Sequence, residues 1–161
     1  MRSRDRQADI ERVYRERFMR FERFARAVTM DHESALDAVQ DRFADALRAA
    51  GSFEGRGSLE AWIWRCVLNR ARKARLIARQ LPSDGTYETR DDREEHCGDE
   101  ALRACVAALP ERQRLAVFLR YYADLDYQGI ADVLEVKVGT VSATLAHAHA
   151  ALRETFVEAL R

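Results

Sequence analysis

The chain has 161 residues, 47% of them hydrophobic and 34% charged, with only two prolines and seven glycines. That composition excludes a disordered or fibrous chain and suits one ordinary domain or two small ones. No apolar stretch is long enough to span a bilayer, and the N-terminal MRSRDRQADIERVY has no apolar core behind its charges. Neither membrane insertion nor a secretory leader is expected.

The formal net charge of zero hides a pattern. Residues 1–80 hold 18 basic and 12 acidic side chains, residues 81–100 hold 2 and 8, and residues 101–161 hold 7 and 7. A basic block, an acidic joint and a neutral block predict two modules and a linker. Cys66, Cys97 and Cys105 are odd in number and form no CxxC pair. They read as reduced thiols of a cytoplasmic protein.

The first predicted helix covers roughly residues 6–29, where Ile10, Val13, Tyr14, Phe18, Phe21, Ala25 and Val28 make one apolar stripe. A second runs from about 32 to 50, capped by Asp31 and stopped at Gly51, with Leu36, Val39, Phe43, Leu47 and Ala50 as its stripe. The loop GSFEGRGS follows. Ser58 then caps a third helix, with Glu60 in its first turn where the helix dipole favours an anion. This helix is expected to stop near Gln80, ahead of Pro82. Its expected buried stripe is Leu59, Trp62 or Ile63, Cys66 or Val67, and Ala74. Between Ala61 and Gln80 stand six basic residues and no acid: Arg65, Arg70, Arg72, Lys73, Arg75 and Arg79. A run of one sign beside two tryptophans suits nucleic acid, although a solvated face or an acidic protein partner would carry the same charges.

Residues 81–100, LPSDGTYETRDDREEHCGDE, are almost without apolar content and predict an acidic, flexible linker. Four short helices are expected beyond it. The first covers Glu100 to Leu109, and the second starts at Pro110 and ends near Tyr122 with Leu115, Phe118, Leu119 and Tyr122 on its apolar face. Ile130, Ala131, Leu134, Val136, Val141 and Leu145 then give the apolar pattern of a helix-turn-helix. An ordinary helical hairpin would give much the same pattern.

In order along the chain, these pieces resemble the sigma factors of the extracytoplasmic-function type, small promoter-recognition subunits of bacterial RNA polymerase. DHESALDAVQDRFADAL resembles their polymerase-docking segment. GRGSLEAWIWRCVLNRARK resembles the segment that melts and reads the −10 element. LPERQRLAVFLRYYADLDYQGIADVLEVKVGTVSATLAHAHAAL resembles the domain that reads the −35 element. The resemblance implies an all-α chain of two small helical domains, 1–80 and 101–161, joined by the linker 81–100, with the helix-turn-helix in the second. It implies as partners the polymerase core, through its beta-prime and beta subunits, promoter DNA, and an anti-sigma factor or activator. It implies no cofactor, no metal and no catalysis.

Residue by residue, the resemblance places Asp37, Gln40, Asp41 and Phe43 in the docking segment. It places Trp62, Arg65, Asn69 and Lys73 towards the −10 strand, with Arg72 beside them and Arg56 in the loop before. The spacing of 62, 65, 69 and 73 does put those four on one helical face. Aromatic rings and guanidinium planes stack on bases, Asn reads base edges, and Lys neutralises phosphate. Phe43 also fits the buried stripe, and Trp62 suits core or DNA equally.

The −35 side departs from the family. From Val138 to Leu152 there is neither Arg nor Lys. Ala143, Ala146, His147 and Ala150 are expected to face outward, with Ser142 and Thr144 on the flanks. Family members usually carry Lys or Arg at several of the positions held here by Ser142, Thr144, His147 and His149. The candidates that remain are the amides of Gly139, Thr140 and Val141 at the helix start, which suit a phosphate, and Arg112, Arg114 and Arg120 on the flank. Glu135 stands where the turn commonly has Gly, and Gly129 interrupts a helix at a cost of about 1 kcal/mol relative to Ala. Weak or permissive −35 contact is expected.

Other functions fit less well. His147 and His149 lie about 200° apart on a helix and cannot clasp one ion. Asp37, Asp41 and Asp45 form a solvent-facing row rather than a catalytic cluster. A helix-turn-helix regulator acting without polymerase would need a sensing site in residues 1–80, and none is evident.

Overall fold

The computed structural model describes residues 2–51, 57–80 and 97–159. These form seven helices: α1 (Arg2–Thr29), α2 (His32–Arg48), α3 (Leu59–Gln80), α4 (Cys97–Ala108), α5 (Glu111–Tyr121), α6 (Tyr127–Leu134) and α7 (Val138–Ala159). No strand occurs among the described residues. The helices divide into two compact units, α1–α3 and α4–α7. Residues 97–100, placed in the linker by composition, are helical, so α4 starts three residues earlier than expected.

The first unit is a three-helix core. Ile10, Phe21, Phe24 and Val28 of α1 meet Ala35, Ala38, Val39, Phe43 and Ala46 of α2 and Ile63, Trp64, Val67, Leu68 and Ala71 of α3. The expected α2 stripe is right at Val39, Phe43 and Ala50. Leu36 and Leu47 are only half-buried, because small alanines let the helices approach on the neighbouring side. On α3 the stripe takes the Ile63 and Val67 alternatives, both buried. Trp64 is fully buried while Leu59, Trp62, Cys66 and Ala74 are half-exposed. Phe21 stacks on Trp64 at 3.9 Å between ring centres, and Phe24 meets it edge-on at 5.2 Å. The indole N–H donates to Glu60 Oε1 at 3.3 Å, and Arg17 reaches the same oxygen at 3.0 Å. Glu60 thus ties α3 to α1 as well as sitting in its helix's first turn.

The joints of this unit are closed by side chains. Asp31 accepts from the Ser34 amide at 2.8 Å as the N-cap of α2. Hydrogen bonds from the Ser34 hydroxyl first, and then from its amide, hold the Asp31 carboxyl below the ordinary 3.8, because they favour the charged form. Met30 makes the turn between α1 and α2 with a left-handed φ of 62°. Glu22 is almost completely buried, and His32 Nδ1 lies 3.0 Å from its carboxylate. Ser58 Oγ accepts from the Ala61 amide at the start of α3.

In the second unit, Leu115, Ala116 and Leu119 of α5 and Ile130, Ala131 and Val133 of α6 pack against Val141, Leu145 and Ala148 of α7. Pro110 is the N-cap of α5. Arg114 Nη1 donates to the carbonyls of Ala107 and Leu109, closing the end of α4. The turn between α6 and α7 is made by Glu135 in the left-handed conformation (φ 56°, ψ 47°). A residue with a Cβ pays strain there.

Gly129 has a different explanation from the cost expected of it. Its amide donates to Asp126 Oδ1 at 2.7 Å, the N-cap bond of α6. A Cβ at position 129 would lie 3.1 Å from that same oxygen. The glycine therefore makes room for the cap, which offsets its poor helix propensity.

Candidate nucleic-acid interface

The buried face of α3 fixes where its other face looks. With Trp64, Val67, Leu68 and Ala71 turned inward, Asn69, Arg72 and Lys73 are exposed and Trp62 and Arg65 are half-exposed. The structure thus brings Trp62, Arg65, Asn69 and Lys73 together along one outward strip, with Arg72 at its edge. Arg56 lies outside the described residues. Two features escaped the periodicity argument. Arg70 is committed to Asp41 on α2, with Nη2 2.9 Å from Oδ2. And the strip continues into an aliphatic residue, Leu76, which is 59% exposed, with Ile77 beside it at 46%.

Cys66 sits at the side of α3. Burial pushes its thiol up from the ordinary 9.0, against the pull of Arg65 and Arg42, so at neutral pH it is a protonated packing group.

On α2, Asp37, Gln40 and Asp41 are exposed and reachable by a partner. Phe43 is not among them: it is 3% exposed, with its ring 4.8 Å from Tyr14 and 5.1 Å from Phe21. It belongs to the core and forms the floor of a groove of about 250 Å³ between α1 and α2, rimmed by Gln40. Asp45 bonds Arg48 at 2.7 Å and lies 3.5 Å from Arg42, and Asp41 holds Arg70. The acidic row is therefore already partly neutralised.

On α7 the buried positions Val141, Leu145 and Ala148 turn Ser142, Ala143, Ala146, His147 and Ala150 outward, with Thr144 half-buried. Gly139 is exposed at the helix start. The amides of Thr140 and Val141 both donate to the Lys137 carbonyl, at 2.9 and 3.2 Å. They are spent on the first helical turn, so the expected three-amide cradle for a phosphate does not form. The flanking arginines also have structural duties. Arg120 Nη1 donates to the Leu125 carbonyl, and its guanidinium lies over the Tyr127 ring. Arg114 closes α4, while Arg112 is exposed. His149 turns sideways to meet the Tyr121 hydroxyl at 2.8 Å.

Among the described residues, no group of three His, Cys, Asp or Glu is placed to hold a metal ion, and no helix is long and apolar enough to cross a membrane.

This geometry has close parallels. The family description Sigma-70 region 2 matches residues 13–79, and Sigma-70, region 4 matches residues 99–152. The chain is 31% identical to the RNA polymerase sigma-H factor of Pseudomonas aeruginosa, over 81% of this chain and 77% of that one. It is 29% identical to the ECF RNA polymerase sigma-E factor of Escherichia coli K12, over 72% and 70%. Its fold is similar to that of the sigma factor RpoE of Bartonella quintana, solved with the anti-sigma factor NepR, at a TM-score of 0.69 and 20% identity over 91% of this chain and 96% of that one. The fold of CnrH, solved with the cytosolic domain of CnrY, is equally similar, at 0.69 and 18% identity over 94% and 92%. These likenesses favour a polymerase subunit over a free-standing helix-turn-helix regulator. The chain belongs to the RNA polymerase sigma factors of the extracytoplasmic-function type, and is an alternative sigma factor that directs RNA polymerase to promoters.

Proposed function

We propose that promoter choice by this sigma factor rests on its first unit, with the second contributing position more than affinity. The observation that carries this reading is the contrast in charge between the two outward helix faces. The α3 strip presents Trp62, Arg65, Asn69, Arg72 and Lys73 on a helix with no acid from Ala61 to Gln80. It suits an opened −10 strand: cations hold the backbone, and the indole and Arg65 stack on bases. Arg56, in the preceding loop, adds a cation near the same strand.

The face of α7 offers Ser142, Ala143, Thr144 and His147, with Gly139 and Thr140 at its start. Hydroxyls can meet base edges and alanine can meet thymine methyls, but no residue there forms the guanidinium fork that reads guanine. Arg112 and Arg120 supply what phosphate contact this unit makes. Asp37, Gln40 and Asp41 dock on a basic surface of the polymerase core, and Phe43 supports them from below. The chain contributes no catalysis of its own and acts in the cytoplasm, where polymerase is. An anti-sigma factor is a fitting regulator, since the Bartonella quintana sigma factor of similar fold was solved with one.

Run-off transcription with holoenzyme reconstituted from core polymerase and the full chain tests this. Replacing Arg65 and Lys73 together by Ala is expected to lower transcript yield at least a hundredfold. Scrambling the −35 element is expected to lower it less than fivefold. Normal initiation by the Arg65→Ala, Lys73→Ala protein, or complete loss on scrambled −35 DNA, contradicts the assignment.

A further inference from the structure

One residue on the α3 strip does not fit a purely ionic grip. Leu76 lies about 40° round the helix from Trp62 and about 14 residues, or 21 Å, further along it. That direction is opposite the buried Val67 and about 140° from Ala71, but only about 80° from Leu68, so Leu76 sits on the shoulder of the outward face. It is 59% exposed, with Lys73, Arg72, Arg75 and Arg79 within four residues. Ile77 flanks it at 46% exposure, also in water. A helix that needed only to hold phosphates gains nothing from an isobutyl group on its exposed side, and loses by keeping it in water.

The surrounding cations point to a polyanion as the occupant of this face, since no acid on α3 from Ala61 to Gln80 would repel one. If Trp62 marks the opened strand, an offset of about 21 Å corresponds to roughly six base-pair steps of 3.4 Å. Taken towards the upstream edge of the opening, that distance reaches paired DNA, whose major groove is wide enough to admit a helix. The apolar feature exposed in that groove is the C5 methyl of thymine. We propose that Leu76 is a specificity-determining residue: it seats against a thymine methyl in the paired DNA upstream of the opened −10 element. Arg72, Lys73 and Arg79 hold the flanking phosphates, which fixes the height at which Leu76 enters the groove. The inference rests on α3 being the −10 helix, and it adds to that reading a duplex contact that is apolar and base-selective.

The test uses holoenzyme and a promoter library randomised over the ten base pairs upstream of the opened segment. The wild-type protein is expected to enrich thymine at one or two adjacent positions. Leu76→Ala is expected to lose that enrichment and Leu76→Met to keep it. On an enriched promoter, replacing the selected thymine by deoxyuridine removes only the methyl group. Wild-type transcript should then fall about fourfold, the worth of one buried methyl group, while Leu76→Ala gives the same yield on both templates. Absence of thymine enrichment, enrichment that survives in Leu76→Ala, or an equal response of both proteins to deoxyuridine would overturn the proposal. Position 76 is exposed, so the variant should fold, and an unchanged far-ultraviolet circular dichroism spectrum checks that it does. The Arg65→Ala, Lys73→Ala protein separates the two levels of failure. If it initiates normally, the −10 assignment of α3 fails and Leu76 falls with it. If it does not initiate while Leu76→Ala matches wild type on every template, only the Leu76 contact is wrong.

Discussion

α3 and α7 are both 22-residue helices that bury one face in a small helical unit and turn the other outward. They differ in what the outward face carries. α3 has six cations between Ala61 and Gln80, whereas α7 has none between Val138 and Leu152. Yet α7 keeps every packing residue that a helix-turn-helix requires: Val141, Leu145 and Ala148 are buried against Ile130 and Ala131. Fold and electrostatic reach are therefore written in separate residues. The helix-turn-helix needs only its inward stripe, and the outward face is free to lose charge without loss of shape.

The largest expected effect separates the two tryptophans of α3. Trp64 is fully buried between Phe21 and Phe24. Trp64→Ala should therefore cost about 3–5 kcal/mol of stability, measured by thermal unfolding of the α1–α3 transition in the full chain. Trp62→Ala should cost under about 1 kcal/mol, as expected of a half-exposed side chain away from the core. Its loss should appear instead in promoter opening, read by permanganate reactivity of unpaired thymines. Equal destabilisation by the two variants would break the division between core and DNA face on this helix.

The next effect tests the comparison from the side of α7. Ala143 and His147 are exposed and one helical turn apart. Replacing both by Arg should create two phosphate or guanine contacts. The slope of log affinity against log salt should steepen by about 0.9 for each new phosphate contact. Transcription should become dependent on the −35 sequence, without a shift in melting temperature. If the double variant leaves both salt slope and −35 dependence unchanged, this face does not meet DNA at all.

Much of this was legible from residue order, and what was not has a common cause. Helix ends could be read because caps are local: Asp31 and Ser58 sit where their bonds require. The helix-turn-helix could be read because its stripe is local too. Whether Trp62 or Ile63 joined the core could not be read, since the stripe allowed either; with Trp64 buried, Trp62, about 200° from it, must face outward. Phe21 and Phe24, contributed by α1, decide it. The same holds for Arg70, whose partner Asp41 stands 29 positions away, and for Phe43, where a docking role and a core role share one position. The spent amides of Thr140 and Val141 depend on how tightly the first turn closes on Lys137, which composition does not encode.

Asp31 gives a smaller effect, with a pH signature. Its carboxyl titrates below its ordinary 3.8 because the charged form accepts from the Ser34 hydroxyl and from the Ser34 amide. A depressed pKa contributes stability above the unfolded value and loses it as pH falls through the folded value. Asp31→Ala should cost about 1 kcal/mol at pH 7, as a lost N-cap does. The gap from wild type should close below pH 3.8. No cap of this kind holds α5, where Pro110 makes no side-chain bond. A constant gap across pH would show that Asp31 acts by shape and not by charge.

The smallest effect concerns the turn that aims α7. Glu135 pays left-handed strain of about 1 kcal/mol that glycine would not, but glycine also loses more freedom on folding. The net gain from Glu135→Gly should be about 0.5 kcal/mol, visible as a modest rise in the melting temperature of the α4–α7 transition. Gly129→Ala is the control. Its Cβ would press on Asp126 Oδ1 at 3.1 Å, so the usual advantage of alanine in a helix should vanish or reverse. Because Glu135→Gly relieves strain in the turn and adds no cation facing DNA, it should leave −35 dependence where it was. A gain in −35 dependence from this change alone would mean that the turn, through its strain or its carboxylate, and not the missing cations of α7, limits contact with the promoter.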